Sequence, residues 1–422
     1  MADASTLHRA LIDALVSRGV IKDPQVEAAF RAIPRHLFLP DIPLAEAYRN
    51  EAIPTKIVDG EAVSSSSQPE MMAIMLEQLA LEPGLRVLEI GAGTGYNAAL
   101  MAHVVGETGA VVTIDVDADL VDGARAHLVA AGLDRVRVVL GDGGLGHPDG
   151  APYDRIILTV GAWDIAPAWG QQLRPGGRLV LPLTVGGSQK SVAFVQAGDH
   201  LVSASVNDCA FIRLRGAFAG PPSRVVLGDT ADLLLHVRDP SEVDAAAAYD
   251  LLKRAPTDLP TGVRAIGREV YGGLVLWIAL REPGFCWLEA IGPAADARPV
   301  PLLFASAGKY RSAAGVVGAG SAGFYMRPPG DRVPGGPEAD PRPFELHVRG
   351  LGDGADIARR LCRHAQAWDS AGRPGADGLR IRALPIAVGY VPGADEQIIE
   401  KRWTRLVLDW PARPGRDAST SR

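Results

Sequence analysis

The chain has 422 residues, of which 47% are hydrophobic and 22% charged, with a formal net charge of −6. That length supports two or three domains with full cores, and the acidic balance excludes nonspecific nucleic-acid binding as the main task. The 3 cysteines, Cys209, Cys286 and Cys362, are too far apart for a disulfide framework or a metal knuckle. No run reaches transmembrane length, and Met1-Ala2-Asp3-Ala4-Ser5 lacks a basic, apolar leader. A cytoplasmic protein with no membrane partner is expected.

Residues 6–35 read as helices, with Leu7, Leu11, Ile12 and Leu15 on one face and Val26, Ala29, Phe30 and Ile33 on another. Pro34-Arg35-His36-Leu37-Phe38-Leu39-Pro40 closes the segment. Pro69 opens a helix in which Met72, Met75, Leu76 and Leu79 recur at helical spacing, a stripe that reads as core. From Arg86 to about Pro182 the periods alternate: strands at 86–90, 111–115, 136–140 and 155–160, with helices at 95–105, 118–131 and near 167–173. A further strand, Arg178-Leu179-Val180-Leu181, follows Pro175-Gly176-Gly177. Such alternation predicts an α/β fold with a doubly wound, mostly parallel sheet, its ligand beyond the carboxyl ends of the strands.

The stretch Val87-Leu88-Glu89-Ile90-Gly91-Ala92-Gly93-Thr94-Gly95-Tyr96 is the most informative in the chain. An apolar strand runs into an acid and three glycines at alternate positions, where a ligand can approach bare backbone. About 20 residues beyond the bend, Asp115 ends a second strand, the place from which a carboxylate meets ribose hydroxyls. Glu89 precedes the turn and no basic residue lies within it, so phosphate is disfavoured. S-adenosylmethionine fits instead, since it carries a sulfonium, an ammonium and a ribose but no phosphate. Gly141-Asp142-Gly143 falls in register at the end of a later strand.

Beyond Ala217-Phe218-Ala219-Gly220-Pro221-Pro222 the alternation stops. The expected division is 1–216 for the cofactor domain, 217–411 for an α+β extension, and 412–422 for a polar tail. In the extension, Leu274–Ile278 and Pro301–Phe304 read as strands, residues near 355–368 as a helix, and Pro328 to Pro343 as an exposed loop. Trp403–Pro411 reads as a strand of alternating polarity. Arg359, Arg360, Arg363, Arg373, Arg380, Arg382, Lys401, Arg402 and Arg405 give a basic bias that either steers an acidic peptide or forms a solvated face. His8, His36, His103, His127 and His147 show no metal-ligand spacing, so no metal is expected.

Several blocks come in a fixed order: Pro34-Arg35-His36-Leu37-Phe38-Leu39-Pro40, Ala47-Tyr48, Ser67-Gln68-Pro69, Val87-Leu88-Glu89-Ile90-Gly91, Gly141-Asp142-Gly143, Ala151-Pro152-Tyr153-Asp154 and Leu173-Arg174-Pro175-Gly176-Gly177-Arg178-Leu179. Over roughly residues 6–216 this series resembles the protein-L-isoaspartate O-methyltransferase family. The resemblance implies a Rossmann-like class I methyltransferase fold and S-adenosylmethionine as cofactor. It places Ser67 beside the methyl-accepting carboxylate, and Ser64, Ser65, Ser66 and Ser67 against the cofactor. It further implies that Glu89, Gly91 and Gly93 form the cofactor loop, that Asp115 holds the ribose, and that Asp142 with Gly143 borders the adenine. Alone, the serine run would read as a flexible polar linker.

Two blocks depart from the family. Asp59-Gly60-Glu61-Ala62-Val63 and four serines stand where relatives carry T-I-S before the proline, and Ile212-Arg213-Leu214-Arg215 stands where V-P-L is common. Those extra arginines meet an acidic substrate or form a solvated surface; the residues alone leave both open. Phe344-Glu345-Leu346-His347-Val348, Arg363-His364-Ala365-Gln366-Ala367-Trp368-Asp369 and Leu406-Val407-Leu408-Asp409-Trp410-Pro411 look like the branch accompanying ribosomally made, modified peptides, including lanthipeptide- and graspetide-associated enzymes. That likeness implies an aspartate in a constrained peptide as substrate, the extension recognising the peptide and the ester collapsing to succinimide and on to isoaspartate. Conventional isoaspartyl repair and a non-catalytic peptide-binding scaffold are the alternatives.

Overall fold

In the computed structural model, residues 3–411 are described, apart from 294, 307 and 332–340. The expected polar tail and most of the expected loop before Pro343 lie outside the described residues. The chain forms two units, one of residues up to Thr184 with Gln189–Gly220 and Arg380–Asp409, the other of Val185–Ser188, Pro221–Leu379 and Trp410.

The first unit begins with α1 (Ala4–Ser17) and α2 (Pro24–Ala32), capped by Asp3 and Asp23, whose carboxylates accept N–H groups of the first turn. Ile12, Leu15, Val26, Ala29 and Phe30 are their buried face, as the periodicity required. After a short α3 (Leu44–Ala47), β1 (Ile53–Val58) and β2 (Glu61–Ser66) form a hairpin. Its turn is Asp59-Gly60, both left-handed at φ 51° and 80°, the geometry that matches the twist of paired strands. Ser64, Ser65 and Ser66 therefore stand on a strand and not in a linker. α4 (Pro69–Leu79) buries Met71, Met72, Met75, Leu76 and Leu79.

The α/β core follows: β3 (Arg86–Ile90), α5 (Tyr96–Val105), β4 (Ala110–Asp115), α6 (Ala118–Ala130), β5 (Arg137–Leu140), β6 (Tyr153–Leu158), α7 (Pro167–Gln172), β7 (Leu173–Val185), β8 (Ser188–Ala197) and β9 (His200–Cys209). Strands β3 to β7 are parallel, in the spatial order β7-β6-β3-β4-β5. β3 is buried from Val87 to Ile90, as a strand covered by helices on both faces must be. The order reverses between β3 and β6, so the crevice at their carboxyl ends is where this topology opens a ligand site.

The second unit holds β10 (Arg224–Val226), β11 (Leu233–Val237), α8 (Ala245–Leu251), β12 (Thr257–Ala265), α9 (Gly267–Glu269), α10 (Val275–Ala279), β13 (Phe285–Ile291), β14 (Phe304–Ser306), β15 (Tyr310–Gly318), β16 (Ser321–Met326), β17 (Phe344–Gly352) and α11 (Ala355–Ser370). Its antiparallel sheet runs β10-β11-β13-β15-β16-β17-β12, with β14 beside β15. α11 lays Ile357, Leu361, Ala365 and Trp368 on β12, β16 and β17. Leu274–Ile278, expected as a strand, is the end of a π-helical turn (Val270–Leu274) running into α10. A short run buried on all sides has no period to separate strand from helix.

The chain then returns. β18 (Arg380–Pro385), β19 (Gln397–Glu400) and β20 (Thr404–Asp409) join the first sheet beyond β9, in the order β9-β18-β20-β19, and bring it to ten strands. This corrects the expected boundary, which assigned everything from 217 to 411 to the extension. β20 also lacks the expected alternation, because Leu406, Val407 and Leu408 are all fully buried inside the sheet.

Candidate active site

At the carboxyl ends of β3, β4 and β6 lies a solvent-open cleft of about 850 Å³. It is lined by Ser64 to Ser67, Gly91 to Thr94, Ile114, Asp115, Gly143, Thr159, Val160 and residues 211–215. Of the site residues expected from sequence, Ser64, Ser65, Ser66, Ser67, Gly91, Gly93, Asp115 and Gly143 meet here. Glu89 and Asp142 do not line it.

The glycine bend is built by backbone. Gly91 and Ala92 both donate their N–H to the Ile114 carbonyl, at 2.8 and 3.0 Å, which folds the chain sharply off β3. Gly91 has φ +103°, and a Cβ there would fall 2.7 Å from Thr159 Oγ1. Gly93, at φ +49°, donates its N–H to Asp115 Oδ2 at 3.0 Å, and the Asp117 N–H reaches Oδ1 at 3.3 Å. Each oxygen of the Asp115 carboxylate so keeps a lone pair for a hydroxyl.

Glu89 corrects the expectation that it meets the ligand. It is fully buried beneath the bend, where Asn97 Nδ2 and Thr113 Oγ1 each donate to it at 2.7 Å. Burial pushes its carboxyl up to about 7, against the pull of those two donors. Glu89 thus ties β3 to β4 and to the first turn of α5. Asp142 is also held by protein, accepting the Gly144 N–H at 2.9 Å and the Ala217 N–H at 2.6 Å. It caps a one-turn helix and fastens the segment after β9, while Gly143 beside it packs on Ile90 and lines the cleft.

The serine wall rests on a residue that sequence reasoning did not single out. Arg35 is fully buried, and its guanidinium donates to the carbonyls of Ala47, Arg49, Glu51, Ser66 and Ser67 and to Ser66 Oγ. Among the described residues the Ser67 hydroxyl has no hydrogen-bond partner, so its carbonyl is anchored while its Oγ is available. Thr55 Oγ1 donates to Ser64 Oγ at 3.0 Å across the hairpin. Nothing in the sequence separates Arg35 from the nearby Arg31, which pairs with Asp13 and Glu27 at the surface.

The expected basic surface is largely internal pairing. Arg215 grips Asp117 with both Nη atoms, at 3.1 and 2.7 Å, and Lys56 reaches the same carboxylate at 3.0 Å. Arg359, Arg360, Arg373, Arg380, Arg382 and Arg405 pair with Asp356, Glu282, Asp369, Asp409, Glu396 and Glu400. Lys401 is buried and donates to the carbonyls of Trp163 and Thr184. Among the described residues no group of three His, Cys, Asp or Glu is arranged to hold a metal, and no helix is long and apolar enough to cross a membrane.

A cleft with bare glycine backbone, a carboxylate with free lone pairs and no basic residue within the glycine bend fits an adenosyl sulfonium. Fold and site define an S-adenosylmethionine-dependent methyltransferase of class I. Residues 6–218 match the family model described as Protein-L-isoaspartate(D-aspartate) O-methyltransferase (PCMT), and the chain belongs to that family. It is similar to Protein-L-isoaspartate O-methyltransferase of Hyperthermus butylicus, 40% identical over 220 residues, 50% of this chain and 89% of that one. The enzyme of the same name from Pyrococcus horikoshii is 43% identical over 172 residues, 41% of this chain and 75% of that one. A solved structure named protein-L-isoaspartate O-methyltransferase is 24% identical with a TM-score of 0.49, covering 91% of this chain and 96% of the other. The protein is a carboxyl O-methyltransferase with S-adenosylmethionine as its cofactor.

Proposed function

We propose that the enzyme methylates the free α-carboxylate of an isoaspartyl residue in a peptide or protein, the group left over when the main chain runs through the side-chain carbonyl. One observation carries this reading: Ser67, its carbonyl pinned by Arg35 and its hydroxyl unpartnered, faces the same cleft as Gly93 and Asp115. Bound S-adenosylmethionine supplies an electrophilic methyl carbon on sulfur. Asp115 would accept the ribose hydroxyls, the backbone of Gly91 and Gly93 would lie against the amino-acid arm, and Gly143 would border the adenine. Ser64, Ser65 and Ser66 form the wall opposite the bend. Ser67 Oγ–H donates to the acceptor carboxylate and aims its other oxygen at the methyl carbon.

With the cofactor bound, an in-line transfer would make the O–CH₃ bond as the S–CH₃ bond breaks, neutralising the sulfonium and the carboxylate together. A carboxyl with an ordinary pKa near 4 is already ionised at neutral pH, so no general base is needed. Alignment supplies the acceleration, within the roughly 7–11 kcal/mol that proximity can provide.

An aspartate in a constrained, ribosomally made peptide is the second reading, with succinimide and then isoaspartate as products. It is favoured by the additional sheet unit, which lies almost entirely beyond the family match. Transfer of a labelled methyl group to a linear isoaspartyl peptide and to a cyclic aspartyl peptide decides between them. Methylation of the linear peptide alone supports repair, and of the cyclic one alone the second reading; methylation of neither overturns both. Ser67→Ala is expected to lower turnover about tenfold, the effect of one charge-assisted hydrogen bond, with S-adenosylhomocysteine affinity within about threefold. Equal loss of both contradicts the role given to Ser67.

A further inference from the structure

Arg35 is an uncommon kind of buried cation. A guanidinium taken out of water is ordinarily matched by a carboxylate, because an unpaired charge in a low-dielectric interior is costly. Here its six acceptors are five backbone carbonyls and one hydroxyl, all neutral. Among the described residues no carboxylate pairs with it, and its Nε has no partner. The residue shows no solvent exposure at all. Burial lowers its proton affinity to about 10, which still leaves it fully charged at neutral pH.

Its position gives that charge a direction. Three of the six acceptors are Ser66 O, Ser66 Oγ and Ser67 O, at 3.3, 3.3 and 3.0 Å, and Ser66 and Ser67 line the cleft. The other three are the carbonyl of Ala47, at the end of α3, and those of Arg49 and Glu51 in the loop leading into β1. A rigid fork of N–H groups therefore stitches that loop to the end of β2 and stands directly behind the serine wall. An anion arriving in front of Ser67 meets a positive charge that no carboxylate among the described residues pairs with.

Resting on the substrate reading above, we propose that Arg35 is a positioning residue for the acceptor carboxylate. It fixes Ser66 and Ser67 through their main chain and supplies the positive potential that draws an anionic side chain to them. The substrate's carboxylate is the counter-ion this cation lacks. The enzyme consequently selects an acid over its neutral amide before any bond changes.

The test measures selectivity, which a purely structural role does not alter. Two linear peptides are used, one with the isoaspartyl carboxylate and one with that carboxylate replaced by carboxamide, the second as a competitive inhibitor. Wild-type enzyme is expected to bind the acid at least about tenfold tighter than the amide. Arg35→Gln is expected to lose most of that preference and to lower kcat/KM about 10- to 100-fold, with S-adenosylhomocysteine affinity within about threefold. Arg35→Lys keeps the charge without the fork, so it should retain the preference while losing turnover. An unchanged acid-to-amide ratio in Arg35→Gln overturns the proposal, as does loss of the ratio in a folded Arg35→Lys. If Arg35→Gln fails to fold, the lysine variant alone decides. If wild-type enzyme methylates no isoaspartyl or aspartyl peptide, the substrate reading falls and this assignment with it; if it does and the ratio is insensitive to Arg35, only this assignment falls.

Discussion

Beneath the glycine bend, a carboxyl group without access to water holds together three elements that must not drift. Glu89 has an ordinary carboxyl range near 4.5 when unfolded, and burial raises it to about 7 in the folded chain. Between those two values the folded state holds the proton and the unfolded state has released it. Stability associated with this group is therefore present below about pH 4.5 and is lost as pH rises through about 7. Glutamine has the same shape, can hydrogen-bond Asn97 and Thr113, and has no charge to bury. Glu89→Gln is thus expected to melt higher than wild type, by a margin that grows from pH 5 to about pH 7.5 and then levels. Thermal melts of both proteins across that range check it. A margin independent of pH would show that Glu89 is not titrating there. The carboxylate of Asp115, on the cleft side of the same bend, is held by N–H donors and stays available to the cofactor.

At the scale of elements, the segment after β9 is the part of the cleft wall held by the most dispersed contacts. Gly161 donates to the Ile212 carbonyl and accepts from the Leu214 N–H, at 2.7 and 2.8 Å. Arg215 holds Asp117, and the Ala217 N–H holds Asp142. This strap crosses one side of the cleft, while Lys56 of the β1–β2 hairpin reaches Asp117 from the other. Asp117 is therefore where the two sides are latched, and the Arg215 hydrogen bond is the largest influence holding its carboxyl below the usual range. Ion pairs near the surface contribute about 0–1 kcal/mol each, so opening both should matter by up to about thirtyfold. Asp117→Asn is expected to release S-adenosylhomocysteine several-fold faster than wild type. Raising salt should speed release from wild type and leave the variant nearly unchanged. Identical salt dependence in both would remove the latch from the account.

The latch also shows where sequence reading runs out. The β3 bend, Asp115 and the alternation of strands and helices up to α7 are local patterns, and each appears within a residue or two of its expected place, whereas β7 starts five residues before the expected Arg178. Arg215 and Asp117 are 98 residues apart, and a pair of charges at that separation leaves no periodic mark on either segment. Ile212-Arg213-Leu214-Arg215 therefore read equally as substrate contact or solvated surface. Glu89 was misplaced for a related reason: its type and position imply a ligand, whereas its partners Asn97 and Thr113 are set by packing. The hairpin before the serines was legible in Asp59-Gly60, a strong turn pair that the neighbouring departures from the family obscured. Leu274–Ile278 carried no period to read.

Across the whole molecule, the methyltransferase sheet is not finished where the family match ends. The match stops at residue 218, yet the sheet gains β18, β20 and β19 from residues 380–409, after the entire second unit has been threaded. Ile381, Leu406, Val407 and Leu408 are fully buried in those strands. Lys401 is enclosed against the carbonyls of Trp163 and Thr184, and the Trp403 N–H donates to Asp164 Oδ2 at 2.8 Å. These contacts hold the loop after β6, whose Gly161 in turn holds the strap. Each large apolar side chain left uncovered costs about 1.5–3 kcal/mol, and several together approach the 5–15 kcal/mol that typically separates folded from unfolded. A chain ended after Gly220 is therefore expected to lose its cooperative melt and its S-adenosylhomocysteine binding, although it contains every residue lining the cleft. Calorimetry and cofactor titration of that fragment beside the full chain make the comparison. A fragment that melts within a few degrees of the full protein and binds equally well would mean that the returning strands only decorate a sheet already complete at β9.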